Sequence, residues 1–260
     1  MAEDIPSTFA IMPTVPVRGL HSFSPASEEL IMSRGLLNRV ETKFILNAEE
    51  LEQVLEPLPS HYAVIMTQSA PQALYENLYY DTTDFHYLNE HLCGKRPRFK
   101  VRFRHYIKRD LSFLEVKKKL NNTKTIKQQV PVQYRSEDLS EHLDFVNAYS
   151  AIPGERLFPC VRTKFQRITL VGLDSEERIT MDVGLCFEQG NEQVDWKKGI
   201  IVEVKQPRHR PRTPVMLALR GVGARSQSIS KYCIAASLLH PNLNRYPHLN
   251  LNPNHLRFHH

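Results

Sequence analysis

Residues 98–106 run Arg98-Phe99-Lys100-Val101-Arg102-Phe103-Arg104-His105-Tyr106, and this alternation decides how the chain folds. Successive side chains of an extended strand point to opposite faces. Arg98, Lys100, Arg102 and Arg104 therefore share one face, while Phe99, Val101 and Phe103 share the other and Ile107 continues the apolar series. A helix of 3.6 residues per turn would scatter both sets. The run predicts a strand that is basic on one side and apolar on the other.

The same division recurs on either side of it. Arg39, Glu41 and Lys43 oppose Val40, Phe44 and Leu46; Glu115, Lys117 and Lys119 lie together in 113–119; Arg162, Lys164 and Gln166 align, as do Arg178, Thr180 and Asp182, and then Glu203 and Lys205. For one strand taken alone, a solvated outer face is the better explanation of the charges. Across six strands the excess of Arg and Lys is different, because like charges on neighbouring strands repel unless an anion neutralises them. In three of the strands a carboxylate precedes a lysine by two residues: Glu41 and Lys43, Glu115 and Lys117, Glu203 and Lys205. The pattern predicts an α+β fold: a closed antiparallel β-barrel with a charged lumen, its apolar outer faces covered by amphipathic helices. Phosphate chains suit such a lumen, since Arg offers paired planar donors and Lys a point charge. The carboxylates would hold a hard divalent cation, Mn²⁺ or Mg²⁺.

Helical spacing interrupts the alternation in a few places. Asn47 with Glu50 forms a capping box, Leu46 and Leu51 a hydrophobic staple, and Leu51, Val54, Leu55 and Leu58 one apolar stripe. Further helices are predicted at about 137–149 on Leu139, Leu143 and Val146, from Thr213-Pro214, and after Ser228 or Ser230. Pro6, Pro13, Pro16 and Pro25 punctuate 1–36, and 241–260 is rich in Asn, Pro and His, so both ends read as tails or surface wraps around one domain at 37–240.

Composition removes several function classes. With 41% hydrophobic and 24% charged residues the chain can bury a core and is not of the disordered kind. The formal charge of +6 is modest for a nucleic-acid binder, and no nucleic-acid polymer is expected as partner. Cys93, Cys160, Cys186 and Cys233 are scattered without a CxxC pair, which suggests a reducing, cytoplasmic setting rather than a zinc site or disulfide framework. No apolar run has the roughly 20 residues that a bilayer requires. P-loop, dinucleotide and zinc-peptidase motifs are absent. His105 and His142 read as structural rather than metal-bound.

Taken in order, RVETK (39–43), KVRFRHY (100–106), FLEVKKK (113–119), Lys127, VRTKFQR (161–167), ERITMDVGL (177–185), IVEVKQ (201–206) and SISKY (228–232) resemble the triphosphate tunnel metalloenzymes, the CYTH-like superfamily, and within them the vacuolar transporter chaperone (VTC) domain. The resemblance covers about 37–240. It implies that Lys43, Arg102, Arg104, Lys117, Lys127, Arg162 and Arg178 bind substrate phosphates, joined by Lys205 and Lys231. It also implies Glu203 as a metal carboxylate assisted by Glu41 and Glu115, and a catalytic set of Lys231, Arg102, Arg104 and Glu203. The activity implied is metal-dependent transfer of the ATP γ-phosphate to polyphosphate, with a triphosphatase or a non-catalytic polyphosphate-binding module as alternatives. Two positions depart from the family pattern. Arg39 stands where hydrolytic relatives begin an acidic strand with Glu, which favours phosphate over water as acceptor, and Ser228 stands where eukaryotic polymerases tend to carry another Lys.

Overall fold

The computed structural model describes residues 14–35, 39–121, 124–196 and 199–239. Its strands are β1 Val40–Leu46, β2 Tyr62–Val64, β3 Gln72–Asp81, β4 Arg98–Tyr106, β5 Leu111–Lys119, β6 Thr125–Val132, β7 Phe158–Gly172, β8 Arg178–Gln189, β9 Glu192–Trp196 and β10 Ile200–Gln206. The helices are α1 Glu28–Ser33, α2 Ala48–Leu55, α3 His86–Leu92, α4 Leu143–Tyr149, α5 Pro214–Gly221 and α6 Lys231–Leu239. The strands form one antiparallel sheet in the order β1-β10-β8-β7-β3-β4-β5-β6, with β2 added on β7 and β9 on β8. Among the described residues no ladder joins β1 to β6, so the expected closed barrel is, in hydrogen bonding, a curled sheet. The curl brings its margins together: Lys117 and Lys119 on β5 feel the charge of Glu41 on β1.

Local chemistry explains most boundaries. Asn47 accepts from the Glu50 amide at 2.9 Å and the Glu50 carboxylate accepts from the Asn47 amide at 2.8 Å, which is the anticipated capping box of α2. Pro214 opens α5 at a position whose N–H would be unsatisfied anyway. The expected helix at 137–149 is a 3₁₀ turn, Leu139–His142, running into α4. The N-cap residue of α3, Phe85, offers no side-chain cap, and the His86 amide donates to Thr82 Oγ1 at 2.9 Å. The amides of Tyr87 and Leu88 donate to Asp81, at the end of β3.

Over β1, β8 and β10, and over β4 and β5, the outward faces are apolar and covered, as the alternation predicts. Phe44, Leu46, Met181, Val202 and Val204 pack under α2 and α5, and Phe99, Val101, Phe103, Leu114 and Val116 pack with Leu139 and Val146 of the 139–149 helical segment. The N-terminal segment joins the first layer through buried Leu20 and Phe23. Helix α6 behaves differently. It is apolar on every side because it is enclosed, packing on the inner face against Phe165, Leu185, Phe187 and Ile201. A bulge prepares this seat. β7 loses register between Lys164 and Gln166 as it passes Gly184 of β8, whose φ of 60° suits glycine. Asp182 and Leu185 thus share the inner face, and the lining changes there from charged to apolar.

Candidate functional site

The register gathers the charged side chains on the inner face. Lys43 lies opposite Glu203, Lys205 opposite Arg178, Glu203 opposite Thr180, Arg102 opposite Glu115 and Lys117 opposite Lys127. These positions come from five strands that alternation had assigned correctly, with β6 contributing Lys127.

Glu115 is fully buried on β5 and anchors the first group. Arg102 donates to its Oε2 through Nε at 2.8 Å and Nη2 at 2.5 Å, and Lys127 Nζ reaches Oε1 at 3.3 Å. Arg102 Nη1 also donates to the Tyr79 hydroxyl at 3.0 Å, and Arg104 Nε to Asn77 Oδ1 at 2.7 Å. Burial alone would raise the Glu115 pKa, but Arg102 and Arg104, with Lys117 and Lys127, hold it well below the ordinary carboxylate value. Glu115 thus fixes the cations in place. Expected beside a metal, it instead has Arg102 on one oxygen and Lys127 on the other.

A second group centres on Asp182. Arg167 donates to both its oxygens, at 2.6 and 2.8 Å, and Lys231 Nζ, from the first residue of α6, joins on Oδ2. Lys231 also lies 4.5 Å from the centre of the Phe165 ring. Burial pushes the Lys231 pKa down to about 8 although Asp182 opposes this. Sequence reasoning places Asp182 on the charged face but gives it no role, and misses Arg167. The signal was present in the last residue of VRTKFQR, two positions from Phe165.

The third group is the carboxylate pair. Glu203 and Glu41 come within hydrogen-bond reach of one another, and Glu203 is held well below its ordinary pKa, against burial, chiefly by Lys205 and Lys43. Burial lowers Lys205 to about 8 in turn. Directly across from Glu203, the buried Thr180 Oγ1 has no hydrogen-bond partner. Two adjacent carboxylates and a free hydroxyl make a hard-oxygen donor set that fits one divalent cation. Among the described residues no group of three or more His, Cys, Asp or Glu converges as a metal site, so further ligands would come from substrate oxygens. Arg39 donates to Glu41 at 2.9 Å. The first position of RVETK, where an acidic residue was the expectation from the resemblance, therefore brings a cation to this pair.

Arg162 is a correction. On β7 it lies opposite Leu78 and Glu188, on the outward face, and donates to Glu76 at 2.5 Å and to both oxygens of Glu137 at 2.6 and 2.7 Å. Lys164, on the same face, pairs with Glu188 at 2.6 Å. The reason is register: Asn77 and Tyr79, which line up with Arg104 and Arg102, face Thr163 and Val161 rather than Arg162. His105 belongs to this outer network, between Ser112 at 2.7 Å and Glu137 at 3.0 Å. At the end of the inner face away from α6, Tyr75, Tyr106, Lys108, Arg109, Arg167, Thr169 and Arg178 line a cavity of about 80 Å³. Among the described residues no helix is long and apolar enough to cross a membrane.

A family model described as the VTC domain matches residues 38–240. No curated protein matches. Among solved structures, a Bacillus halodurans protein labelled a candidate adenylate cyclase is 12% identical, with a TM-score of 0.49 over 74% of this chain and 94% of that one. A Hippeastrum protein, whose structure is described as revealing a dominant triphosphatase activity, is 14% identical, with a TM-score of 0.45 over 76% of this chain and 95% of that one. The Pyrococcus horikoshii protein PH1012 is 14% identical, with a TM-score of 0.43 over 74% and 94%.

Proposed function

This chain belongs to the VTC domain family, and from that premise we propose that it is a polyphosphate polymerase, transferring the terminal phosphoryl group of ATP to the end of a polyphosphate chain. The observation that carries the reading is the surplus of cations on the inner face, several of them buried. Lys43, Arg102, Arg104, Lys117, Lys127, Arg178, Lys205 and Lys231 share a surface whose carboxylates are few, and whose charges a polyphosphate would balance.

The curled sheet forms the tunnel. Arg102 and Arg104, held in position by Glu115, Tyr79 and Asn77, grip the triphosphate with Lys117 and Lys127. Glu203 and Glu41 would hold Mn²⁺ or Mg²⁺, which when bound screens the charge of bridging and terminal phosphate oxygens. A terminal oxygen of the acceptor chain attacks the γ-phosphorus, and the bond from that phosphorus to the departing ADP oxygen breaks. Neither step needs a covalent link to the protein, since placement and charge neutralisation supply most of the acceleration. Lys231 exchanges part of its contact with Asp182 for the oxygens of the phosphoryl group in transit. Arg39, on Glu41, disfavours a second cation that would activate water, and so favours phosphate as acceptor.

Purified protein is incubated with ATP and Mn²⁺ or Mg²⁺, and the products are resolved on a polyacrylamide gel. A ladder of long chains accompanied by ADP is the expected result. Orthophosphate without chains would assign a triphosphatase, and unconsumed ATP with tight polyphosphate binding a non-catalytic module; either overturns the polymerase.

A further inference from the structure

Beyond Arg102, towards the end closed by α6, the inner face carries a second set of cations that the proposed chemistry does not use. Arg98 stands directly opposite Lys119, and Lys100 directly opposite Lys117, so β4 and β5 present like charges in consecutive inward-facing pairs. Such pairs destabilise a sheet unless something of opposite sign lies between them. Among the described residues Arg98, Lys100 and Lys119 make no ion pair, in contrast to Arg102 two residues further on. Arg98 is only 6% exposed, yet its Nε has no hydrogen-bond partner. Lys100 donates to Ser230 Oγ at 2.7 Å, just ahead of α6, and Lys43 on β1 adds to the local field. Burial and these neighbouring cations weaken the hold of Lys100 on its proton. A fixed, buried guanidinium donor, two lysines and a hydroxyl without a carboxylate among them make a receptor for a phosphate group.

We infer that Arg98, Lys100 and Lys119, with Ser230, form a second phosphate subsite, which takes phosphoryl groups of an inorganic polyphosphate chain beyond those held at Arg102 and Arg104. This rests on the reading of the inner face as a phosphate tunnel. Four residues of strand separate Arg98 from Arg102, about 13 Å at roughly 3.3 Å per residue, a span that takes several P–O–P links to cross. A short triphosphate seated at Arg102 leaves the second subsite empty, whereas a longer chain reaches both. The subsite therefore selects for chain length.

Calorimetric titration of the full chain with inorganic tripolyphosphate, and separately with size-fractionated long-chain polyphosphate, tests this in the Arg98→Gln/Lys119→Gln variant. The expected result is long-chain binding weakened about tenfold or more, with tripolyphosphate affinity within about twofold of the parent. Equal weakening for both ligands, or none for the long chain, overturns the subsite. Lys119→Gln alone, whose side chain is half-buried, serves if the double variant fails to fold; it should weaken long-chain binding selectively and, by relieving repulsion, raise the ligand-free melting temperature. Arg102→Ala separates the two readings. Loss of tripolyphosphate binding in Arg102→Ala together with unchanged long-chain binding in the double variant rejects the subsite alone; retained tripolyphosphate binding in Arg102→Ala rejects the tunnel.

Discussion

Arg167 of β7 grips Asp182 of β8 with two parallel hydrogen bonds, Nε to Oδ1 at 2.6 Å and Nη2 to Oδ2 at 2.8 Å, and Lys231 of α6 closes on the same carboxylate. One buried acid thus ties the enclosed helix to the sheet. Asp182→Asn leaves two buried cations without their counter-charge and is expected to destabilise the fold by about 3–5 kcal/mol. Urea unfolding of the ligand-free protein measures it, and a loss under about 1 kcal/mol would show that the triad is not a structural tie. Added polyphosphate should recover part of the loss, by neutralising Arg167 and Lys231 in place of the missing carboxylate.

Removing Arg102 does two things at once. It takes away a proposed phosphate ligand and strips the fully buried Glu115 of its closest partner. Arg102→Ala should therefore lose both phosphate affinity and about 3 kcal/mol of stability. Adding Glu115→Gln should restore much of the stability and none of the affinity. Parallel melting and tripolyphosphate titrations separate the two effects, and recovered binding in the double variant would contradict the assigned role of Arg102.

Arg162 gives the opposite signature. Facing outward among Glu76, Glu137 and Glu188, it should matter to folding and not to ligand. Arg162→Ala is expected to cost about 1.5–3 kcal/mol, the worth of hydrogen bonds to charged groups, while tripolyphosphate affinity stays within about twofold. A tenfold loss of affinity at unchanged stability would return this residue to the tunnel.

Lys100 makes stability depend on alkaline pH. Its pKa falls from 10.5 to about 7 on folding, through burial and the cations around it. Between those values the unfolded chain keeps a proton that the folded chain has shed, so stability rises with pH across this window. Lys205 and Lys231, lowered to about 8, add to the rise. Lys100→Gln should flatten the slope between pH 7 and 10. Phosphate binding at pH 8 should in turn draw protons back onto these lysines, seen as proton uptake when calorimetry is repeated in buffers of different ionisation enthalpy. Absence of uptake would remove the lysines from the site.

Arg39 tests the choice of acceptor. Its bond to Glu41 is half-exposed, so Arg39→Glu should change stability by less than about 1 kcal/mol. It does add a third carboxylate beside Glu41 and Glu203. Tighter Mn²⁺ binding and a shift of product from chains towards orthophosphate are expected, read by calorimetry and by gel. An unchanged product ratio would show that Arg39 does not set the acceptor.

Much of the inner face was legible because Arg98–Arg104, Glu115–Lys119 and Arg178–Asp182 separate polar from apolar residues cleanly. Elements such as β7 and α3 were not. β7 carries polar residues on both sides, Arg162, Lys164 and Gln166 against Thr163 and Arg167, so alternation divides it without saying which side is inner. Helix α3 drew no notice because the side chains that accept its first amides, Asp81 and Thr82, stand at the end of the preceding strand and not at its N-cap position.

What the sequence determined by itself was which residues share a face within each strand, where α2 and α5 begin, and that the basic faces call for a polyanion. Those follow from backbone geometry and nearest neighbours, which operate over a few residues. Only the tertiary structure decided that Arg167 rather than Arg162 turns inward, that Glu115 serves the arginines while Glu41 meets Glu203, and that α6 lies inside the curl instead of over it. Each depends on register between strands far apart in the chain, and on which buried charge finds its partner there; that is a property of the assembled sheet and of no single segment.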